Sequence, residues 1–118
     1  MTAKLSTHVL DTAAGGPAEG VALRLYRRGP DGKAFLKAEV TNADGRTDVP
    51  LLEGDAVVEG AYELVFDAGD YLSSRHPGLI SAPPFLDRVR LSFAMAAGGS
   101  YHVPLILSPH GYSTYRGS

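Results

Sequence analysis

Arg88-Val-Arg-Leu-Ser-Phe-Ala-Met-Ala-Ala-Gly-Gly-Ser-Tyr-His-Val-Pro-Leu-Ile-Leu107 is the stretch whose reading decides the fold. Val89, Leu91, Phe93 and Met95 alternate with Arg88, Arg90, Ser92 and Ala94. That period of two places successive side chains on opposite faces of a strand. Gly98-Gly99 turns the chain into a second strand, Ser100 to Leu107. The same grammar holds upstream. Tyr62, Leu64 and Phe66 alternate with Glu63, Val65 and Asp67, and Val21, Leu23 and Leu25 alternate with Ala22, Arg24 and Tyr26. Leu5 to Leu10 forms a first strand, and Phe35 to Val40 another, with Leu36, Ala38 and Val40 on one face. The 14 glycines and 8 prolines fall mainly between these runs, which is the punctuation of an all-β chain. Asn42-Ala43-Asp44-Gly45 reads as a turn.

One segment departs from this pattern. Asp67-Ala-Gly-Asp-Tyr-Leu-Ser-Ser-Arg-His76 offers Asp67 as an N-cap and Asp70 in a first turn, and it stops at Pro77-Gly78. A short helix at about Gly69 to Arg75 is expected. About seven strands with one small helix predict a β-sandwich, and 118 residues fit one domain, 1–118.

Composition narrows the function classes. With no cysteine, thiol nucleophiles and thiolate metal sites are excluded. A net charge of −2 with mixed signs argues against nucleic acid or an acidic membrane as partner. Met1-Thr-Ala-Lys-Leu-Ser-Thr-His8 lacks the apolar core of a signal peptide, so a cytoplasmic protein is expected. The run from Tyr101 ends in Pro109-His-Gly-Tyr-Ser-Thr-Tyr-Arg-Gly-Ser118. Its last seven positions hold Tyr112, Tyr115, Arg116, Ser113 and Thr114, groups suited to a flat polar ligand.

Three segments taken together carry a resemblance: Leu5-Ser-Thr-His-Val-Leu-Asp-Thr12, Thr41-Asn-Ala-Asp-Gly-Arg-Thr-Asp48, and Tyr101 to Ser118 with its terminal Tyr115-Arg-Gly-Ser118. They resemble the 5-hydroxyisourate hydrolases, the transthyretin-related enzymes of urate breakdown, over essentially the whole chain. Transthyretin itself lacks the terminal tetrapeptide. His110 departs from the family, which usually has Tyr or Phe before that glycine.

The resemblance implies a transthyretin-like sandwich of two four-stranded sheets. It also implies a homotetramer with active sites at the dimer–dimer interface, and hydrolysis of 5-hydroxyisourate to 2-oxo-4-hydroxy-4-carboxy-5-ureidoimidazoline without a cofactor. The family's functional positions carry over to His8, Arg46, His102, Tyr115 and Ser118. By alternation His8 shares a strand face with Ser6 and Leu10, and His102 shares one with Pro104, Ile106 and Ser108. One histidine suits a general base on water, and the other orients the water or supplies the leaving proton. Arg46 offers a planar fork to a substrate rich in carbonyls. Tyr115 would line the pocket, and Ser118 would position water or substrate. Arg116 is a second guanidinium, for which a bond to the backbone or to a neighbouring subunit is the favoured reading. Zinc is the rival use of a histidine pair, but no third ligand sits at a telling spacing. His76 and His110 read as structural. Without a G-x-S-x-G elbow, direct attack by water is favoured over a covalent intermediate. The competing reading is a non-catalytic carrier of small molecules.

Overall fold

The computed structural model describes residues 2–117. The strands are β1 Lys4–Asp11, β2 Gly16–Pro17, β3 Ala22–Gly29, β4 Gly32–Val40, β5 Leu52–Glu53, β6 Gly60–Phe66, β7 Val89–Met95, β8 Tyr101–Ser108 and β9 Gly111–Thr114, with helix α1 at Ala68–Arg75 between β6 and β7. One sheet runs β2-β1-β8-β9, with β5 also pairing to β1, and the other runs β4-β3-β6-β7. The result is the all-β sandwich that the alternation predicts.

The inward faces meet in one core. Leu5 and Val9 of β1, Leu105 and Leu107 of β8, Leu23 and Leu25 of β3, and Leu64 and Phe66 of β6 are all fully buried. Each such side chain contributes about 1.5–3 kcal/mol through removal of apolar surface from water. β1 shows the consequence residue by residue. Leu5, Thr7, Val9 and Asp11 face in, while Lys4, Ser6, His8 and Leu10 face out. The pairings are antiparallel except that β1 and β8 run parallel, with Ser6 opposite His102 and His8 opposite Pro104.

The helix begins one residue earlier than its sequence suggests. Asp67 holds the N-cap position but makes no side-chain cap bond. Its carboxylate accepts two hydrogen bonds from the Arg24 guanidinium, both at 3.2 Å, and lies 3.5 Å from Arg88 Nε. A paired bond to the guanidinium cation outweighs a single bond from the carboxylate to a backbone N–H and takes the carboxylate away. The far end of α1 is tied to β1. Tyr71 donates its hydroxyl hydrogen to Asp11 Oδ2 at 2.5 Å, His76 Nε2 lies 2.7 Å from the same oxygen, and the Ala14 N–H donates to Oδ1 at 3.0 Å. Asp11 has no exposed side-chain surface, so these partners are what make its burial tolerable.

The apolar face assigned to Phe35–Val40 is not covered within the chain: Leu36 is 42% and Val40 58% exposed. β4 is an edge strand paired only to β3, and its face bearing Leu36, Ala38 and Val40 is exposed within the chain.

Candidate active site

The parallel register of β1 and β8 builds the centre of the site. Two strands running side by side in the same direction bring His8 and His102 onto one outward face. Both are half-buried, with ring centroids 6.5 Å apart and planes inclined by 38°. Ser6 stands directly opposite His102 in the register, and its Oγ lies 2.8 Å from His102 Nδ1.

Arg46 arrives from the turn after β4. Asn42 organises that turn: its side-chain oxygen accepts from the N–H groups of Asp44 (2.9 Å) and Arg46 (3.2 Å), while its own N–H donates to Arg46 O at 2.8 Å. Gly45 takes φ +74°, and a Cβ there would lie 2.3 Å from the carbonyl oxygen of Val9. Only glycine permits both that φ and that approach. Gly45 O then accepts from the Val9 N–H at 2.7 Å, which fastens the turn to β1 beside His8. An open groove of about 420 Å³ results, lined by Lys4, Ser6, Arg46, Ser100, Tyr101 and His102. His8 flanks it through His102. The lining contains two cations and, among the described residues, no carboxylate, on a chain whose net charge is −2. Such a groove concentrates positive potential where a carbonyl-rich or anionic ligand would sit.

Electrostatics set the state of His102. Burial pushes its pKa down from the ordinary value, and the positive charge of Arg46 and then of His8 pushes it the same way. At neutral pH the ring is therefore uncharged, with one nitrogen free to take a proton.

The tail docks against β8. β9 pairs with β8 from Ser108–Gly111 to Leu105–Thr114, and the same register reappears at His102–Gly117, where the Gly117 N–H donates to His102 O at 2.7 Å. Between them stands Pro104, which would pair with Tyr115 but has no N–H to donate. The ladder is interrupted there, and the Thr114 hydroxyl donates to Pro104 O at 2.8 Å instead. Tyr115 is 58% exposed. It lines a neighbouring cleft with Leu91, Phe93, Tyr101, Val103 and Arg116, rather than the histidine groove. Arg116 donates to Ser100 O at 3.2 Å and lies 4.3 Å from the Tyr101 ring centroid, so it clamps the tail to the backbone. Ser118 lies outside the described residues. The structure thus gathers His8, Arg46 and His102, sets Tyr115 on the adjoining cleft, and adds Lys4, Ser6 and Gly117, which the sequence did not single out. Strand alternation places Ser6 on the His8 face, but its contact with His102 depends on the parallel register.

Comparison with known proteins adds to this geometry. Residues 5–117 match the family model described as HIUase/Transthyretin family. The chain belongs to the HIUase/Transthyretin family. Within the HIUase/Transthyretin family it is 54% identical over 115 residues to a 5-hydroxyisourate hydrolase of Mesorhizobium japonicum, covering 98% of this chain and 92% of that protein. The solved 5-hydroxyisourate hydrolase of Klebsiella pneumoniae is 35% identical, with a TM-score of 0.78 over 98% of this chain and 94% of that one. A crystal structure of an (S)-allantoin synthase is 41% identical, with a TM-score of 0.90. It covers 99% of this chain, which spans only 44% of that longer one. The chain is a hydrolase of this family. No helix among the described residues is long and apolar enough to cross a membrane.

Proposed function

We propose that this chain hydrolyses 5-hydroxyisourate to 2-oxo-4-hydroxy-4-carboxy-5-ureidoimidazoline, a step of urate breakdown in the cytoplasm. The observation that carries the reading is the meeting of His102 and Arg46 at one cationic groove, with the His8 ring beside His102 and the tail fastened to the His102 backbone. The hydrolases among its relatives supply the substrate class.

One imidazole of the pair removes a proton from water as its oxygen attacks the ring carbonyl carbon. Electrons move onto the carbonyl oxygen, where the Arg46 guanidinium stabilises the developing charge. The intermediate collapses, the C–N bond breaks, and the ring nitrogen leaves with a proton from the imidazole pair. General base catalysis contributes about 10²–10⁴-fold and one oxyanion donor about 10²–10³-fold. Their product suffices without a covalent intermediate or a cofactor. The Ser118 hydroxyl positions water or substrate, and Tyr115 stands at the adjoining cleft.

The working form is a homotetramer with its sites at the dimer–dimer interface. Two features support it. The outward face of β1 and β8 carries half-buried Leu10 and Ile106 beside the imidazoles, and the groove stays open in the single chain. A partner seated on that face would exclude water from the groove.

The test follows the ultraviolet band of freshly made 5-hydroxyisourate. The protein should accelerate its decay, and His102→Ala and Arg46→Ala should each lower kcat at least about tenfold in an intact oligomer. Decay at the spontaneous rate with wild-type protein would leave a binding module instead.

A further inference from the structure

His102 is gripped on two sides. On one edge of the imidazole, Nδ1 lies 2.8 Å from Ser6 Oγ. On the opposite edge, a Cβ built at Gly117 would come within 2.5 Å of Cδ2 and 3.1 Å of Cγ, so the ring occupies the space that a side chain at 117 would need. Held by both edges, the ring presents its tip, Cε1 and Nε2, away from the strand. The two contacts come from β1 and from the tail, more than a hundred residues apart in sequence.

We propose that Ser6 is a positioning residue: its hydroxyl oxygen accepts the Nδ1–H of His102, fixes that tautomer, and leaves Nε2 as a bare lone pair. This rests on the hydrolytic reading above and identifies His102 as the base of the histidine pair.

The choice of a hydroxyl is informative. A carboxylate at position 6 would favour the imidazolium and raise the basicity of the ring. A hydroxyl carries no charge and fixes orientation without that penalty. When Nε2 takes a proton from water, Nδ1 keeps its own, and the hydrogen bond to Ser6 is retained without any rotation. The titratable groups facing His102 are Lys4 and His8 from β1 and Arg46 from the turn, and the charge of Arg46 in particular opposes the imidazolium. Proton uptake at Nε2 is therefore transient, as turnover requires.

The experiment uses the full chain with ¹⁵N-labelled histidine and reads the imidazole nitrogens by two-dimensional NMR, beside steady-state kinetics. In wild type, His102 should show a protonated Nδ1 and an unprotonated Nε2 at neutral pH. Ser6→Ala should shift those nitrogens toward a mixture of tautomers and lower kcat about tenfold, with KM changed less than about twofold. Ser6→Thr, which keeps the hydroxyl, should retain the wild-type nitrogen pattern. A wild-type ring protonated at Nε2, or nitrogen shifts unmoved by Ser6→Ala, would overturn the proposal. The tautomer is read without substrate. If the chain proved inactive on 5-hydroxyisourate, the functional reading would fail while the hold of Ser6 on the ring was still measured.

Discussion

The backbone N–H of Gly117 donates to the carbonyl oxygen of His102 at 2.7 Å, and the imidazole of that same histidine lies where a Gly117 side chain would stand. The tail and the histidine therefore fix one another. Gly117→Ala should drive the new methyl into Cδ2 and turn the ring out of line. Misplacement on this scale costs about 10- to 100-fold in kcat. The melting temperature should barely move, because no core side chain is touched. Wild-type turnover in Gly117→Ala would show that the ring tolerates rotation.

Pro104 interrupts a ladder that is otherwise in register from Ser108–Gly111 to His102–Gly117. Pro104→Ala restores a donor opposite Tyr115 and should extend β9 toward Gly117. One added hydrogen bond is worth about 0.5–1.5 kcal/mol. Hydrogen exchange at the amides of Tyr115 to Gly117 should accordingly slow about two- to tenfold. Unchanged exchange would mean that the missing donor is not what frees Tyr115.

The His102 ring titrates below its ordinary value of about 6.5 because it is buried and because Arg46 and His8 stand nearby. The unfolded chain thus takes the proton first, and this group reduces stability as pH falls below about 6.5. The acid limb of kcat/KM should likewise fall below that value. Removing one cation in Arg46→Ala should raise the His102 midpoint, as followed through its ring C–H resonances. A midpoint that falls or stays put would reject the coupling.

Burial alone would push the Asp11 carboxyl pKa up. The hydrogen bonds from Tyr71, His76 and the Ala14 N–H, with the charge of His76, outweigh it and hold it below the usual carboxylate range. Asp11 thus adds stability at any pH above about 3.9, and this is lost as pH falls through its folded value. Asp11→Asn should cost about 2–4 kcal/mol by chemical denaturation while sparing kcat per folded molecule. A large loss of kcat would tie this cluster to the reaction.

The strands legible in the sequence are those that bury one face, such as β1, β3 and β7, because burial writes the alternation. β4 also alternates, yet its apolar face lies open within the chain, and no local pattern distinguishes the two cases. β2 and β5, two residues each, are too short to carry a period, and β9 is polar and exists only through pairing with β8. In the site, His8, Arg46 and His102 stood out by residue type and resemblance. Ser6 did not, because its significance is a contact with a residue 96 positions away that depends on the parallel register. Asp67 holds the N-cap position that the sequence suggests, but its carboxylate turns to Arg24 of β3 and to Arg88 just before β7, partners that no local pattern announces.

The most direct test of the central claim is a crystal structure of the intact chain with a urate-like inhibitor. The ligand should lie in the groove between Arg46 and His102, with His8 beside it and the docked tail at its edge. A ligand seated instead in the cleft between Phe93 and Tyr115, clear of both imidazoles, would contradict the account.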